Sequence, residues 1–357
     1  MNHVRPQTQS RVLLHRAWSC FSATILFSFS WLASSAELDL GEIRRAANGA
    51  HSLFLDSTGR VSAIDTFLAL VKIKGPSGEE QLVVQEITNL LKQTGARVIP
   101  AATNGATDKE GKAVPHNLVM ELPASTDLGS EPGILLNGHI DTINRSTPDG
   151  LAFEPDTLDF YHADDKAAGK ISSFGGDDRS AVAGIVESIR VLHAKYWSRG
   201  VAHRRIVLAF TAQEEVGCLG AKYLSQHQPE LFRNLKFSLS MDGPLDLRSR
   251  YPDVRFVVVR LESDRAIPPY HDLLNYISQF CARAGMQFEQ TEYGLGMGDF
   301  ASFPPEAHAG LHVRSPVRGW HNHERVNLQD QLNHVDLLCH ILLAADRKIP
   351  EDLPKQR

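Results

Sequence analysis

Cysteine is scarce in this 357-residue sequence, which contains only four. Cys20 lies near the N-terminus, and the other three are Cys218, Cys281 and Cys339. An odd number of widely spaced cysteines without a CxxC pair is not a disulfide framework and offers no thiolate metal site. The sequence therefore excludes a small disulfide-stapled scaffold, and it leaves open one disulfide or buried free thiols.

Excess positive charge is also missing. The chain has 37 Lys and Arg residues against 42 Asp and Glu residues, with a formal net charge of −5. This composition predicts no nucleic-acid partner, because binding to phosphates needs a basic surface. The GxSxG signature of serine hydrolases and the GK[ST] signature of phosphate loops are absent as well. The Gly-rich stretch Gly294–Asp299 is therefore a plain turn or a loop that contacts substrate.

Long apolar runs are limited to one, Ala17–Leu32. It follows Arg5, Arg11 and Arg16 without intervening acids, and it precedes the small residues Ser34–Ala36. These are the features of a secretory signal peptide. We expect residues 1–36 to be removed and the mature protein to be secreted or periplasmic, with no stable membrane span. An uncleaved anchor is the alternative, although the run is short for one.

The rest of the chain alternates between short apolar runs and helical patterns. A continuous apolar run such as Arg205–Phe210 is typical of a strand buried in a parallel sheet. The alternation predicts a three-layer α/β fold, with a mostly parallel central sheet and helices on both faces. We expect an N-terminal arm at residues 37–60 and a single domain at residues 61–357, within which residues 143–174 form a loop.

Acidic and histidine side chains stand at the ends of several predicted strands. Glu214 and Glu215 directly follow the run at residues 205–210, although two solvated acids in a loop would give the same local pattern. Parallel strands bring their carboxyl ends to one edge of a sheet, where ligands bind, so such groups can converge. The other members of the set are His139, Asp141, Asp177, Asp242, and His321 or His323.

This set suits a metal centre. Imidazole and carboxylate ligands without thiolate favour zinc, and other divalent metals less specifically. Two metals can share a bridging carboxylate and activate one bridging water, with an unligated carboxylate as base.

Four short motifs, in this order, resemble those of the dizinc exopeptidases. They are Gly138–Thr142, Gly176–Arg179, Glu214–Gly217 and Asp242–Gly243. In these motifs the chain is similar to the peptidase T and glutamate carboxypeptidase family and to related aminopeptidases of the same clan. The stretch Lys72–Glu80 also resembles the N-terminal helix pair of that family. The resemblance spans roughly residues 61–345.

The resemblance implies ligands for two zinc ions. His139 would be a terminal ligand of one ion, and Asp177 would bridge the two. Glu215 and Asp242 would be ligands, one on each side. The final ligand would be a histidine before the last helix.

The resemblance also implies two catalytic roles. Glu214 would be the general base that takes a proton from the bridging water and delivers it to the leaving amine. Asp141 would hold His139 in the correct tautomer.

The sequence departs from the family pattern in three places. The family usually places its last histidine four residues before a glutamate, whereas here His321 stands three residues and His323 one residue before Glu324. We expect His321 to be the ligand, with His323 as the alternative. Arg179 stands where lysine is usual.

The third departure concerns the lid, or dimerisation, domain of the peptidase T-like proteins. Only 56 residues lie between Asp242 and Asp299, and their pattern predicts one strand and one helix. We therefore expect a single catalytic domain without a lid, which leaves a monomer open.

Together these features predict a zinc exopeptidase, most of all an aminopeptidase acting on short peptides. At the fourth ligand position the chain has Asp242 rather than a glutamate, and in this it resembles the aminopeptidase and tripeptidase members of the clan. An amidase or deacylase acting on a non-peptide amide with the same metals is the alternative. A non-catalytic binding module that keeps the fold as a relic would have lost one of the central site residues, and all are present.

Overall fold

The apolar runs of the sequence form the strands of two sheets in a computed structural model of the chain. The structure describes residues 38–100, 116–144, 146–166, 173–243, 254–261, 268–293, 298–304, 310–314, 316–319, 321 and 323–348. The predicted signal peptide at residues 1–36 lies outside them. The strands are β1 (Arg97–Val98), β2 (Leu118–Leu122), β3 (Gly133–His139), β4 (Leu151–Glu154), β5 (Asp159–His162), β6 (Ile206–Thr211), β7 (Leu235–Met241), β8 (Val254–Leu261), β9 (Gln287–Tyr293), β10 (Gly310–Val313), β11 (Val317–Arg318) and β12 (Arg325–Asn327). The helices are α1 (Leu40–Gly49), α2 (Ser57–Val71), α3 (Gln81–Leu91), α4 (Gly176–Lys195), α5 (Leu219–His227), α6 (Pro268–Ala284) and α7 (Leu328–Ala345).

Within the described residues, eight strands form one large sheet in the order β1-β2-β6-β3-β7-β10-β8-β9. The neighbours from β6 to β10 run parallel, as do β8 and β9. The antiparallel pairs are β1 with β2, β2 with β6, and β10 with β8. The prediction of a mostly parallel sheet is confirmed.

The side chains of β6 show why the sheet has helices on both faces. Ile206, Leu208 and Phe210 are buried in the larger apolar cluster, with residues of α2, α3, α4, α6 and α7. Val207 and Ala209 alternate with them and are buried in a second cluster with α5. Because successive side chains of a strand point to opposite faces, the continuous apolar run reflects burial on both sides. The three-layer prediction is therefore also confirmed.

A small second sheet corrects the prediction of a loop at residues 143–174. β4 and β5 form an antiparallel hairpin, and β5 pairs with β12, which in turn pairs with β11. Phe160 of β5 lies opposite Val326 of β12, more than 100 residues further along the chain. Strands this short carry a weak local pattern, and their partner could not be identified from nearby sequence.

Two other segments hold more structure than their sequence pattern predicted. The predicted arm contains α1, which begins after the N-cap Asp39 and buries Ile43 and Ala47, one turn apart. Between Asp242 and Asp299 the chain forms β8, α6 and β9 rather than one strand and one helix. β8 and β9 extend the large sheet. The sequence did not indicate α1 because only one narrow face of this helix is apolar, and the residues between the buried positions are mostly polar.

The described part of the chain contains three cysteines, Cys218, Cys281 and Cys339, and all are free thiols. Cys281 and Cys339 are buried and Cys218 is half-buried. No helix in the described ranges is long and apolar enough to cross a membrane.

Phe67 of α2 joins the helical layer to the small sheet. Its ring lies 5.0 Å from that of Phe160, and its side chain is fully buried. We expect Phe67→Ala to lower the free energy of unfolding by about 3–5 kcal/mol, because a large buried ring leaves a cavity. Leu82→Ala, at an exposed position of α3, should change it by less than about 0.5 kcal/mol. Denaturant unfolding of both variants measures the difference, and equal losses would contradict the packing described.

Candidate active site

The candidate residues lie at one edge of the large sheet. β3 ends at His139, β6 ends shortly before the pair Glu214–Glu215, and β7 ends just before Asp242. These strands are parallel neighbours, so their carboxyl ends lie side by side. α4 begins at the same edge with Asp177 in its first turn.

A first group of possible metal ligands consists of His139, Asp177 and Asp242. Each offers one ligand atom, these atoms lie within 4.8 Å of one another, and all three residues are buried. Nε2 of His139 is 3.5 Å from Oδ1 of Asp177 and 3.6 Å from Oδ1 of Asp242. We refer to these residues as the His139 group.

A second group, the His321 group, consists of Asp177, Glu215 and His321. Nε2 of His321 is 3.0 Å from Oε2 of Glu215 and 3.5 Å from Oδ2 of Asp177. Asp177 therefore presents one carboxylate oxygen to each group. A ligand that bridges two ions needs this arrangement.

The two histidines that the sequence left open differ in their surroundings. His321 belongs to a ligand group, whereas the exposed His323 belongs to neither group found among the described residues. Both residues have a left-handed backbone, with φ of 54° and 56°. The chain turns sharply here, so spacing from Glu324 was an unreliable guide to which ring faces the acids.

Glu214 lies beside the His139 group and is in neither ligand group. Its Oε2 is 4.0 Å from Nε2 of His139, and its side chain is 16% exposed, so solvent reaches it. Burial and the negative charge of Asp242 raise the pKa of Glu214 to about 9. A cation bound nearby would oppose this rise, since positive charge favours the carboxylate.

Asp141 connects three parts of the site. Its Oδ1 accepts the backbone N–H of Glu214 at 2.9 Å, and its Oδ2 accepts the N–H of Glu215 at 3.2 Å and the hydroxyl of Ser77 at 2.6 Å. Nδ1 of His139 is 3.4 Å from Oδ1 of Asp141 and 3.1 Å from its carbonyl oxygen. With oxygen acceptors around Nδ1, that nitrogen carries the proton and Nε2 is left to bind a cation.

Two buried side chains to which the sequence assigned no role of their own hold the loops of the site. Asn117 accepts the N–H of Ala212 at 2.9 Å and donates to the carbonyl of Gly220 at 3.1 Å, which fixes the loop after β6 at both ends. Oε2 of Glu324 accepts the N–H groups of residues 174, 175 and 176, which fixes the turn before Asp177. The only sequence signal for Glu324 was its nearness to His321, and Asn117 gave none.

Arg179 provides a buried positive charge beneath the site. Its side chain is fully buried, and it donates to the carbonyl of Gly75 at 3.3 Å. The charges of Asp141 and Glu80 surround it, although burial still lowers the pKa of Arg179 to about 10. A Cβ at Gly75 would lie only 2.7 Å from its guanidinium, so a glycine makes room for it. Arg179 thus offsets part of the acidic charge.

The two groups fit divalent cations. Oδ1 of Asp177 and Oε1 of Glu215 are buried and have no hydrogen-bond donor. A buried carboxylate oxygen without a partner is costly, and a cation is the partner that several such oxygens can share. Nitrogen and oxygen ligands without sulfur suit zinc among other divalent ions.

The sequence of this region matches a known family. Residues 117–338, which are 222 of the 357 residues, match the profile of peptidase family M28. The chain belongs to peptidase family M28. It is therefore a metal-dependent peptide hydrolase, and the resemblance to the dizinc exopeptidase clan is confirmed. No curated protein matches this M28 chain.

Solved structures share the fold of this M28 protein at low sequence identity. Aminopeptidase PepT from Bacillus cereus is 13% identical with a TM-score of 0.56, over 78% of this chain and 97% of its own. A tripeptidase from Staphylococcus aureus is 14% identical with a TM-score of 0.56, over 80% of this chain and 98% of its own. LapA aminopeptidase from Legionella pneumophila is 16% identical with a TM-score of 0.52, over 85% and 74%.

The choice between His321 and His323 can be tested by metal binding. We expect His321→Ala to weaken the binding of one zinc ion by more than the roughly 10–100-fold that the loss of a supporting residue costs. His323→Ala, two residues away with the same backbone twist, should leave binding unchanged. Zinc titration of the demetallated variants against a chelator measures both. A loss caused by His323→Ala and not by His321→Ala would reverse the assignment.

Proposed function

We propose that this M28 protein is an exported dizinc aminopeptidase that hydrolyses short peptides. The observation that carries the proposal is the shared Asp177, which joins two ligand groups, with Glu214 beside them and outside both. A dinuclear hydrolase needs both features, a bridging carboxylate and a separate base.

The geometry of the two groups supports one assignment of the ligands. His139 and Asp242 would hold one ion, Glu215 and His321 would hold the other, and Asp177 would contact both. Two zinc ions bound there would lower the pKa of a bound water molecule and polarise the scissile carbonyl.

Glu214 would carry out the proton transfers. Its carboxylate would take a proton from the attacking water and deliver it to the nitrogen of the leaving amine. Asp141 would fix the position of this base relative to the ligands, because the same carboxylate contacts the N–H of Glu214, the N–H of Glu215 and the ring of His139.

Support for an aminopeptidase comes from the neighbours and from the ligand set. The solved structures with this fold include proteins described as aminopeptidases and a tripeptidase. Asp242 supplies the ligand at the end of β7, as in the aminopeptidase members that the sequence resembles. An amidase acting on a non-peptide amide would use the same residues, so substrate tests must separate the two.

Glu214→Gln tests the base. We expect the variant to bind about two zinc ions like the wild type and to lose about 10²–10⁴-fold in kcat, because general base catalysis contributes that much. The measurements are zinc content and hydrolysis of di- and tripeptides with free and with acetylated amino termini. Wild type should cleave only the free-amine peptides.

Two further variants separate the possible explanations. Glu79→Gln makes the same chemical change at an exposed position and should have no effect. Asp141→Asn should instead weaken zinc binding by about 10–100-fold, as expected for a residue that orients a ligand. Metal bound without peptide cleavage would favour the amidase, and no metal bound would refute the site.

The export proposal rests on the N-terminal sequence alone, and it has its own test. A cleaved signal peptide should leave a mature chain beginning at Glu37, which intact-mass measurement of the secreted or periplasmic protein would detect. A full-length chain recovered with membranes would instead support the uncleaved anchor.

A further inference from the structure

We propose that Gly298 and Asp299 form a positioning element for Asp242, and that they thereby support the His139 group but not the His321 group. The inference rests on the proposed dizinc function and goes beyond it, because neither residue is a ligand. Asp299 opens a short 3-10 turn, Asp299–Ser302, that lies against the active-site edge.

Gly298 lies in direct contact with the ligand Asp242. Its backbone has φ of 56° and ψ of −166°, a conformation that residues with a side chain rarely adopt. A Cβ built on Gly298 would overlap Oδ2 of Asp242, and Oε1 of Glu214 would be 3.8 Å away. Oδ1 of Asp242 faces His139 at 3.6 Å. One oxygen of Asp242 therefore serves the ligand group while the other rests against a backbone that has no room for a side chain.

Asp299 fixes this backbone to the sheet. Its side chain is 1% exposed, and its Oδ2 accepts a hydrogen bond from the hydroxyl of Thr211, the last residue of β6. Asn137 of β3 donates to the same hydroxyl oxygen at 3.0 Å, and Ser240 of β7 donates to Asn137 at 2.6 Å. The chain of hydrogen bonds thus crosses the three strands that lead to His139, to Glu214–Glu215 and to Asp242.

The residues that follow Asp299 anchor the turn on the other face of the sheet. Phe300 and Phe303 are buried in the second apolar cluster, and Phe303 packs on Phe232 with ring centroids 5.0 Å apart. Two contacts therefore hold the turn, the apolar packing of Phe300 and Phe303 and the hydrogen bond from Thr211 to Asp299. Gly298 is consequently held against Asp242 and has little freedom to yield.

This arrangement predicts an effect on one ion of the two. A side chain at residue 298 would push Asp242 away from His139. The other group shares only Asp177 with the first. Its remaining ligands, Glu215 and His321, supply none of the three atoms nearest to a Cβ added at Gly298.

The test is stepwise zinc titration of demetallated Gly298→Ala beside the matched control Gly200→Ala. Gly200 also has a positive φ, 88°, but a Cβ there would meet no atom within 4 Å, so the control adds a methyl group to a positive-φ glycine without the contact to a ligand. We expect Gly298→Ala to weaken the binding of one zinc ion by at least about tenfold, which is what the loss of a residue that supports a ligand costs. The affinity for the other ion should stay within about threefold of the wild-type value. Gly200→Ala should bind both ions like the wild type.

Asp299 provides a second test in case Gly298→Ala does not fold. Asp299→Asn keeps an acceptor for the hydroxyl of Thr211 and should bind zinc like the wild type. Asp299→Ala should weaken the binding of the same zinc ion that Gly298→Ala affects. Adding Gly298→Ala to His321→Ala identifies that ion, since the double variant should lose the zinc that His321→Ala retains.

The outcomes separate this inference from the proposed function. If wild type binds no zinc, the dizinc function itself fails. If wild type binds both ions and Gly298→Ala behaves like Gly200→Ala, only the positioning role fails. Equal losses in Asp299→Asn and Asp299→Ala, or a change confined to KM for free-amine peptides, would assign Asp299 to charge or substrate recognition and overturn the proposal.

Discussion

Repulsion between buried carboxylates is the constraint on which the rest of this site depends. Asp177, Glu215 and Asp242 lie at one edge of the sheet, where solvent screens their charges poorly and like charges a few ångströms apart cost several kcal/mol by order of magnitude. The surrounding structure supplies positive charge and hydrogen-bond donors, such as the guanidinium of Arg179 and the backbone N–H groups that face Asp141 and Glu324. The oxygens left without donors define where cations belong.

The sequence was a good guide to the centre of the fold because the relevant signals are local. A strand buried on both faces is apolar along its whole length, so β3, β6 and β7 could be located from residues next to one another. The residue after each run then falls at the carboxyl edge. Parallel topology, which the alternation with helices implied, was enough to bring His139, the Glu214–Glu215 pair and Asp242 together in space.

The sequence was a poor guide wherever a residue depends on a distant partner. β5 pairs with β12 as well as with its hairpin partner β4, and nothing near residue 160 indicates the pairing with β12. Asn117 and Asp299 likewise take their roles from Ala212 and Thr211, which are far along the chain. Spacing favoured His321 but left His323 open, since positive φ at both residues turns the backbone in a way that no periodic pattern describes.

The pairing of β12 with β5 also orders the assembly of the site in time. Asp177 and Glu215 are synthesised long before His321, which lies between β11 and β12 in the small sheet. When β3, β6 and β7 have been synthesised, the His321 group still lacks its histidine. Closing the long loop between β5 and β12 costs little extra stability, because loop entropy grows slowly with length, but contacts between distant residues form slowly. The His321 group is thus completed only with the last part of the chain, which also supplies Glu324, whose carboxylate holds the turn before Asp177.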